Sequence, residues 1–391
     1  MKLLKIFIFA IFLLVPMTVM ATGVSQEVED ASQGTENISQ SDIQEELFSQ
    51  FDFSEINGML DEIFPNEKMN FLDTITGLIS GDLEFSFELI KQFIWDQLAY
   101  EVENSRTGII HILLLVIIAA IFTNFSGMFK STQVSEISFF MLYMLLITIC
   151  LNNFRVLADA VSVNLEKLME FMRLLGPIYF FAVGMATGSS TSITFYQLVL
   201  LLVFMVELLV LNFLIPVTQI YLIMRILGEL SPEIHLSKFA ELLETIVNWA
   251  LKALMAGIVG LNVIQSLISP AIDSVKRSLV TKSGEALPVI GDVIGGATEI
   301  VLGTAVLIKN GIGVAGMLVC LAVCLTPIIQ MAVTTLMYQL VAALMQPISD
   351  KRMVNCVSSM ADGTKMLLRV IVTTGVLFML TIAVVATTTG G

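Results

Sequence analysis

The sequence predicts an all-α integral membrane protein, with about eight transmembrane or re-entrant helices behind a cleaved signal peptide and a small acidic helical extracytoplasmic domain. Three observations carry this expectation. Of 391 residues, 56% are hydrophobic and only 14% charged, with a mean hydropathy of +0.87. A soluble domain is about 45–50% apolar and about 25% charged, so the excess calls for lipid as a second apolar solvent. Second, apolar stretches near the roughly 20 residues needed to cross a hydrocarbon core recur from residue 109 onward. Third, the formal net charge of −14 is confined to one segment: residues 22–107 hold 19 acidic and 3 basic residues, whereas residues 108–391 hold 15 of each.

Residues 1–21 read as a signal peptide. Lys2 and Lys5 precede an apolar core, and Val19-Met20-Ala21 places small residues at a cleavage site. An uncleaved anchor is the alternative, and the polar, acidic continuation favours cleavage. Residues 22–41 are rich in Ser, Gln, Glu and Thr and form an expected disordered tether, with too little apolar surface to offset the entropy of ordering. Residues 42–107 carry helical periodicity. Ile56, Met59, Leu60, Ile63 and Phe64 repeat up to Pro65, a second stretch runs from Lys68 to Ile79, and a third sets Phe87, Ile90, Ile94 and Leu98 on one face. The expectation is an acidic cap, apolar side inward, either packed on itself or docked on a partner.

The polytopic domain covers 108–391, with spans at 109–129, 137–157, 174–191, 193–217, 249–268, 288–308, 311–344 and 367–387. The 174–191 segment is short and broken by Gly176-Pro177, and 311–344 is long enough to be kinked at Pro327. Eight crossings after an exported amino terminus put Lys130, the Lys276-Arg277-Lys282 loop and the Lys351-Arg352-Lys365 loop on the cytoplasmic side. Segments 158–173 and 218–248 then fall outside.

No catalytic constellation can be assembled. The chain has two histidines, His111 and His235, no Gly-rich phosphate loop ending in Gly-Lys-Ser/Thr, no His-Glu-x-x-His and no Gly-x-Ser-x-Gly elbow. The expectation is a non-enzyme without cofactor or metal. Cys150, Cys320, Cys324 and Cys356 lie in or beside apolar runs and read as packing residues, without a disulfide framework. The acidic segment argues against nucleic acid or anionic lipid as partners.

Ionisable residues inside apolar helices are costly and are therefore the candidate pathway or helix-packing positions. Glu207 lies within 193–217. Asp292 and Glu299, seven apart, share a helix face beside Gly291, Gly295 and Gly303, and Gly291 with Gly295 forms a G-x-x-x-G pair. That helix faces either a polar pathway or partner helix, or lies in the interface. Breaks at Gly184–Ser192 and at Gly311-Ile-Gly313-Val-Ala-Gly316 suit either a transporter-like interruption or close helix packing.

The run Ala286-Leu-Pro-Val-Ile-Gly-Asp-Val-Ile-Gly-Gly-Ala-Thr-Glu-Ile-Val-Leu-Gly-Thr-Ala-Val-Leu-Ile-Lys-Asn-Gly-Ile-Gly-Val-Ala-Gly316 resembles the signature region of the stage III sporulation protein AE family. Leu251–Gly260, with Gln265 and Asp273, and the Gly176-Pro177 to Gln197 segment are similar to the family as well. The resemblance covers about 109–388 and leaves 22–107 unmatched. It implies a multi-pass subunit in the mother-cell membrane around the forespore, part of a stage III A-series channel or secretion-like complex that supports late forespore development. The implied partners are the other stage III A-series proteins, including a separate ATPase subunit, and indirectly the forespore stage II sporulation protein Q. It implies the acidic domain outside the cytoplasm and supplies no catalytic residues. A stand-alone permease for a small solute, working through Glu207, Asp292 and Glu299, is the competing expectation.

Overall fold

The computed structural model describes residues 40–63, 70–80, 87–126, 132–187, 189–230, 236–284 and 291–388. The expected signal peptide and nearly all of the tether lie outside these residues. The described residues are almost entirely helical, with short turns at 49–53 and 346–350 and no strand.

Three short helices open the chain: α1 (Gln40–Phe48), α2 (Ser54–Ile63) and α3 (Phe71–Ser80). Between α1 and α2 the Asp52 carboxylate accepts hydrogen bonds from the Ser54 hydroxyl at 2.6 Å and the Ser54 backbone N–H at 2.9 Å. Asn57 ties α2 to α3 by accepting the Phe71 N–H at 2.8 Å. Ile56, Met59, Leu60, Phe71 and Ile75 are buried, the apolar stripe that periodicity predicts. They pack on the body of the protein rather than only on one another. Phe51 meets Phe181 edge-on with centroids 5.3 Å apart, and Lys167 pairs with Glu62 at 3.2 Å.

Bonding from Ser54, hydroxyl first and backbone second, holds the Asp52 carboxyl below the ordinary aspartate range. A lowered folded pKa contributes stability that is present above the unfolded value and lost as pH falls through the folded one. Hydrogen exchange at the Ser54 amide, corrected for intrinsic rates, is therefore expected to lose protection at that acid step. Asp52→Ala should lack the step, and an unchanged profile in that variant would refute the assignment.

The body consists of long helices. They are α4 (Phe87–Ser126), α5 (Thr132–Thr187), α6 (Ser189–Leu209), α7 (Ile215–Leu230), α8 (Leu236–Gly284), α9 (Gly291–Met345) and α10 (Lys351–Thr388). A π-helical segment, Val210–Leu214, joins α6 to α7 without a break. The Ile215 N–H donates to the Val210 carbonyl, one residue beyond the α-helical partner. Pro216 follows immediately; it has no N–H to give and its ring crowds the preceding turn, so one inserted residue lets the helix continue.

Five described helical stretches are long and apolar enough to cross a membrane: Ile137–Ala186, Val199–Glu229, Leu236–Gly260, Ile300–Met345 and Lys351–Ala386. The expected eight spans are grouped differently among the described residues. The expected span 137–157 and residues 174–187 of the next belong to the single helix α5, 193–217 runs from α6 through the π segment into α7, and residues 291–308 join 311–344 in α9. Each place read as a loop, namely 158–173, 276–282 and 351–365, lies within a helix, and 218–248 is mostly helical. At 158–173 and 351–365 the reason is one-sided polarity: the charged residues there keep to the more exposed face while the others continue the core. Likewise α4 runs on through residue 107, because nothing between Ala99 and Gly108 stops a helix. Neither Pro177 in α5 nor Pro327 in α9 ends its helix.

At the centre stands an antiparallel hairpin, α9 and α10, joined through Gln346–Asp350. Asp350 starts α10 by accepting the Arg352 N–H at 2.9 Å. In the most apolar windows of α9 and α10, 67% and 72% of residues are buried inside the protein, against 28% for α5 and 28% for α8. The hairpin is thus enclosed by α4, α5, α7 and α8. On α4, by contrast, Leu114, Ile117, Ile118 and Ile121 point outward, as lipid contact requires.

Candidate functional site

Close packing of small residues sets the positions of the polar groups. On α9 a Cβ at Gly311 would lie 2.9 Å from Ile75, at Gly313 2.9 Å from the Tyr179 hydroxyl, and at Gly316 2.6 Å from Leu175. On α10 a Cβ at Gly363 would lie 2.9 Å from Phe154, and at Gly375 2.7 Å from the Cys324 sulfur. The Gly311–Gly316 break is therefore a helix-packing surface: it seats α3 and α5 against α9. The four cysteines are buried and free, as packing residues.

Glu207 joins two helices through its charge. Its carboxylate is ion-paired with Arg173, linking α6 to α5. Gly303 has no neighbour within 4 Å of its Cβ direction among the described residues. Gly291, Asp292, Gly295 and Glu299 occupy the first turns of α9, and their side-chain surroundings lie outside the described residues. Lys309, further along α9, is fully buried.

The richest polar constellation was not singled out by sequence reasoning. Asn355, Asp362 and Arg369 repeat every seven residues along α10 and form one stripe. Asn355 donates to Glu229 of α7 at 2.7 Å. Asp362 receives Arg225 of α7 at 3.4 Å. Arg369 donates to Asn248 at 3.1 Å and reaches Glu244 at 3.5 Å, both on α8. Arg225, Asp362, Arg369 and Glu244 keep side-chain exposures between 31% and 40%. The ladder thus lines a seam open on one side. Behind it Thr335 donates to Thr364 at 3.0 Å, cross-linking α9 to α10. The readable signal was the seven-residue spacing, which a loop assignment over 351–365 concealed.

What this arrangement can do is hold α7, α8 and α10 in register through polar and charged pairs, with α9 tied in by the Thr335–Thr364 bond. No nucleophile with a base, and no convergent acid–base pair facing a cavity, is found among the described residues.

The comparisons with known proteins follow this architecture closely. A family model described as Stage III sporulation protein AE matches residues 69–389, from just before α3 to the end of α10. The match begins earlier than the resemblance at 109–388 suggests, and the structure supplies the reason: α3 is packed on Gly311 and is part of the body. Stage III sporulation protein AE of Bacillus subtilis (strain 168) is 22% identical over 376 residues, covering 94% of this chain and 92% of that protein. No solved structure matches. With four-fifths of its length matched, α3 and all seven long helices included, the chain belongs to the stage III sporulation protein AE family.

Proposed function

We propose that the protein is a membrane subunit of the stage III sporulation channel or secretion-like complex that links mother cell and forespore, needed for late forespore development. The observation that carries this reading is the family match over residues 69–389. The structure adds support of a different kind. Its central hairpin is enclosed by other helices and its candidate ionisable residue Glu207 is ion-paired. This suits a scaffolding or channel-forming subunit better than a self-contained permease built on exposed charges.

In this reading the protein lies in the mother-cell membrane around the forespore, with the acidic helices α1–α3 on the extracytoplasmic side. Energy comes from a separate ATPase subunit of the A-series, and the forespore stage II sporulation protein Q is met indirectly. Asp292 and Glu299, on the first turns of α9, are the face proposed to meet a partner helix or polar pathway.

Deleting the gene in a spore-forming host is expected to lower heat-resistant spore yield by orders of magnitude after engulfment, with vegetative growth unchanged. Tagged protein purified from sporulating cells in mild detergent should bring the other A-series proteins with it. A normal spore yield, or recovery of the protein alone, would overturn the proposal.

A further inference from the structure

The outer face shared by α5 and α6 combines two features that no single solvent satisfies. Leu201, Phe204, Met205, Leu208 and Phe213 are 43–56% exposed around the π segment. Among them sits the Arg173–Glu207 pair, whose side chains keep 48% and 30% of their surface. In water the five large apolar side chains form a patch of the kind that marks an interaction site. In lipid the ion pair is the misplaced feature, because charged groups there face protein or a polar cavity. Only a protein surface, apolar with a charged centre, accommodates both.

The charge pattern identifies the occupant. One positive and one negative group side by side make a patch that is complementary to itself when rotated by a two-fold axis, the commonest symmetry of homo-oligomers. We propose that this α5/α6 face is the contact between two copies of the chain, with Arg173 and Glu207 of each copy completing a ring of four alternating charges around the axis. The apolar side chains close over the ring and exclude solvent, which strengthens it. The cap contacts α5 through Lys167–Glu62 and Phe51–Phe181 and leaves the pair partly uncovered.

The ring makes an unusual demand on variants. Arg173→Glu gives a dimer with four negative groups at its centre, and Glu207→Arg one with four positive groups. A mixed dimer of one copy of each sets opposite charges against each other across the interface while each copy still carries like charges internally. The test uses two differently tagged full-length copies co-expressed in a heterologous bacterial membrane without other sporulation proteins, so its outcome is independent of the proposed complex. Leu208→Cys in both copies allows disulfide capture with copper phenanthroline, and the native cysteines are buried.

Cross-linked, co-purifying copies are expected for the wild-type pair of charges. Each single reversal should lower the yield by roughly tenfold or more, since juxtaposed like charges are strongly disfavoured. The mixture of the two reversals, and the double reversal within one chain, should both recover it. Arg173→Gln with Glu207→Gln, which places no like charges together, tests the contact by loss of yield should a reversal fail to fold. Background capture of folded wild type overturns the proposal. So does undiminished capture in the reversals, or recovery by the double reversal without recovery by the mixture, which would make the pair purely intramolecular.

Discussion

Gly313→Ala is expected to destabilise the protein, and Tyr179→Phe in the same chain to reverse the loss. A Cβ at residue 313 would lie 2.9 Å from the Tyr179 hydroxyl and 3.2–3.3 Å from two ring carbons. Tyr179 is 3% exposed, so the ring must shift within a packed core. Such overpacking costs about 1–3 kcal/mol. The alanine also gains about 0.5–1 kcal/mol of helix propensity over glycine. The clash is the larger effect, and a net loss of about 1–2 kcal/mol follows.

The second half of this prediction rests on the hydroxyl itself, which is buried without a hydrogen-bond partner. Tyr179→Phe therefore removes no hydrogen bond and relieves a buried polar atom, so alone it is neutral or stabilising. With the nearest clashing atom gone, the propensity gain of Gly313→Ala survives, and the double variant should match or exceed wild type. Denaturant unfolding in a defined detergent measures all four corners of the cycle. Additive single effects would refute the contact.

Arg369→Leu is expected to weaken the α8–α10 seam by about 1–3 kcal/mol. Removing one partner of a fully buried pair costs about 3–5 kcal/mol because the other charge is stranded, and exposure of about one-third reduces that here. Arg369→Lys should recover much of the loss, since the bonds to Glu244 and Asn248 both leave one guanidinium nitrogen and a single ammonium, with three donors, can reproduce them. The combination with Glu244→Leu should be less harmful than Arg369→Leu alone, because no stranded carboxylate remains. Unfolding of the four variants under one set of detergent conditions checks the order, and a double variant worse than the sum would refute the stranded-charge account.

Sequence reasoning located these elements unevenly. The stripe Ile56, Met59, Leu60 and the second periodic stretch near Phe71 and Ile75 were legible because amphipathic helices advertise their buried face every three to four residues. The Gly311–Gly316 cluster was legible as glycine-rich, though not which side chains it would receive. The ladder Asn355–Asp362–Arg369 was missed because polar residues near a hairpin resemble a loop until the helix is known to continue. Glu207 was found, but its partner Arg173 stood 34 residues away in what looked like a different connection.

Composition, charge distribution and periodicity determined by themselves that this is a helical membrane protein with an acidic amino-terminal segment, and the Ala286–Gly316 run pointed to its family. Tertiary structure alone decided where helices continue and what covers them. A polar patch on one face of a helix and a loop between two helices give the same hydropathy dip, so 158–173 and 351–365 could be separated only by their packing. An apolar side chain is equally content against lipid or against protein. Hydropathy therefore could not distinguish α4, which turns Leu114 and Ile121 outward, from the α9–α10 hairpin, whose apolar surface is enclosed by its neighbours.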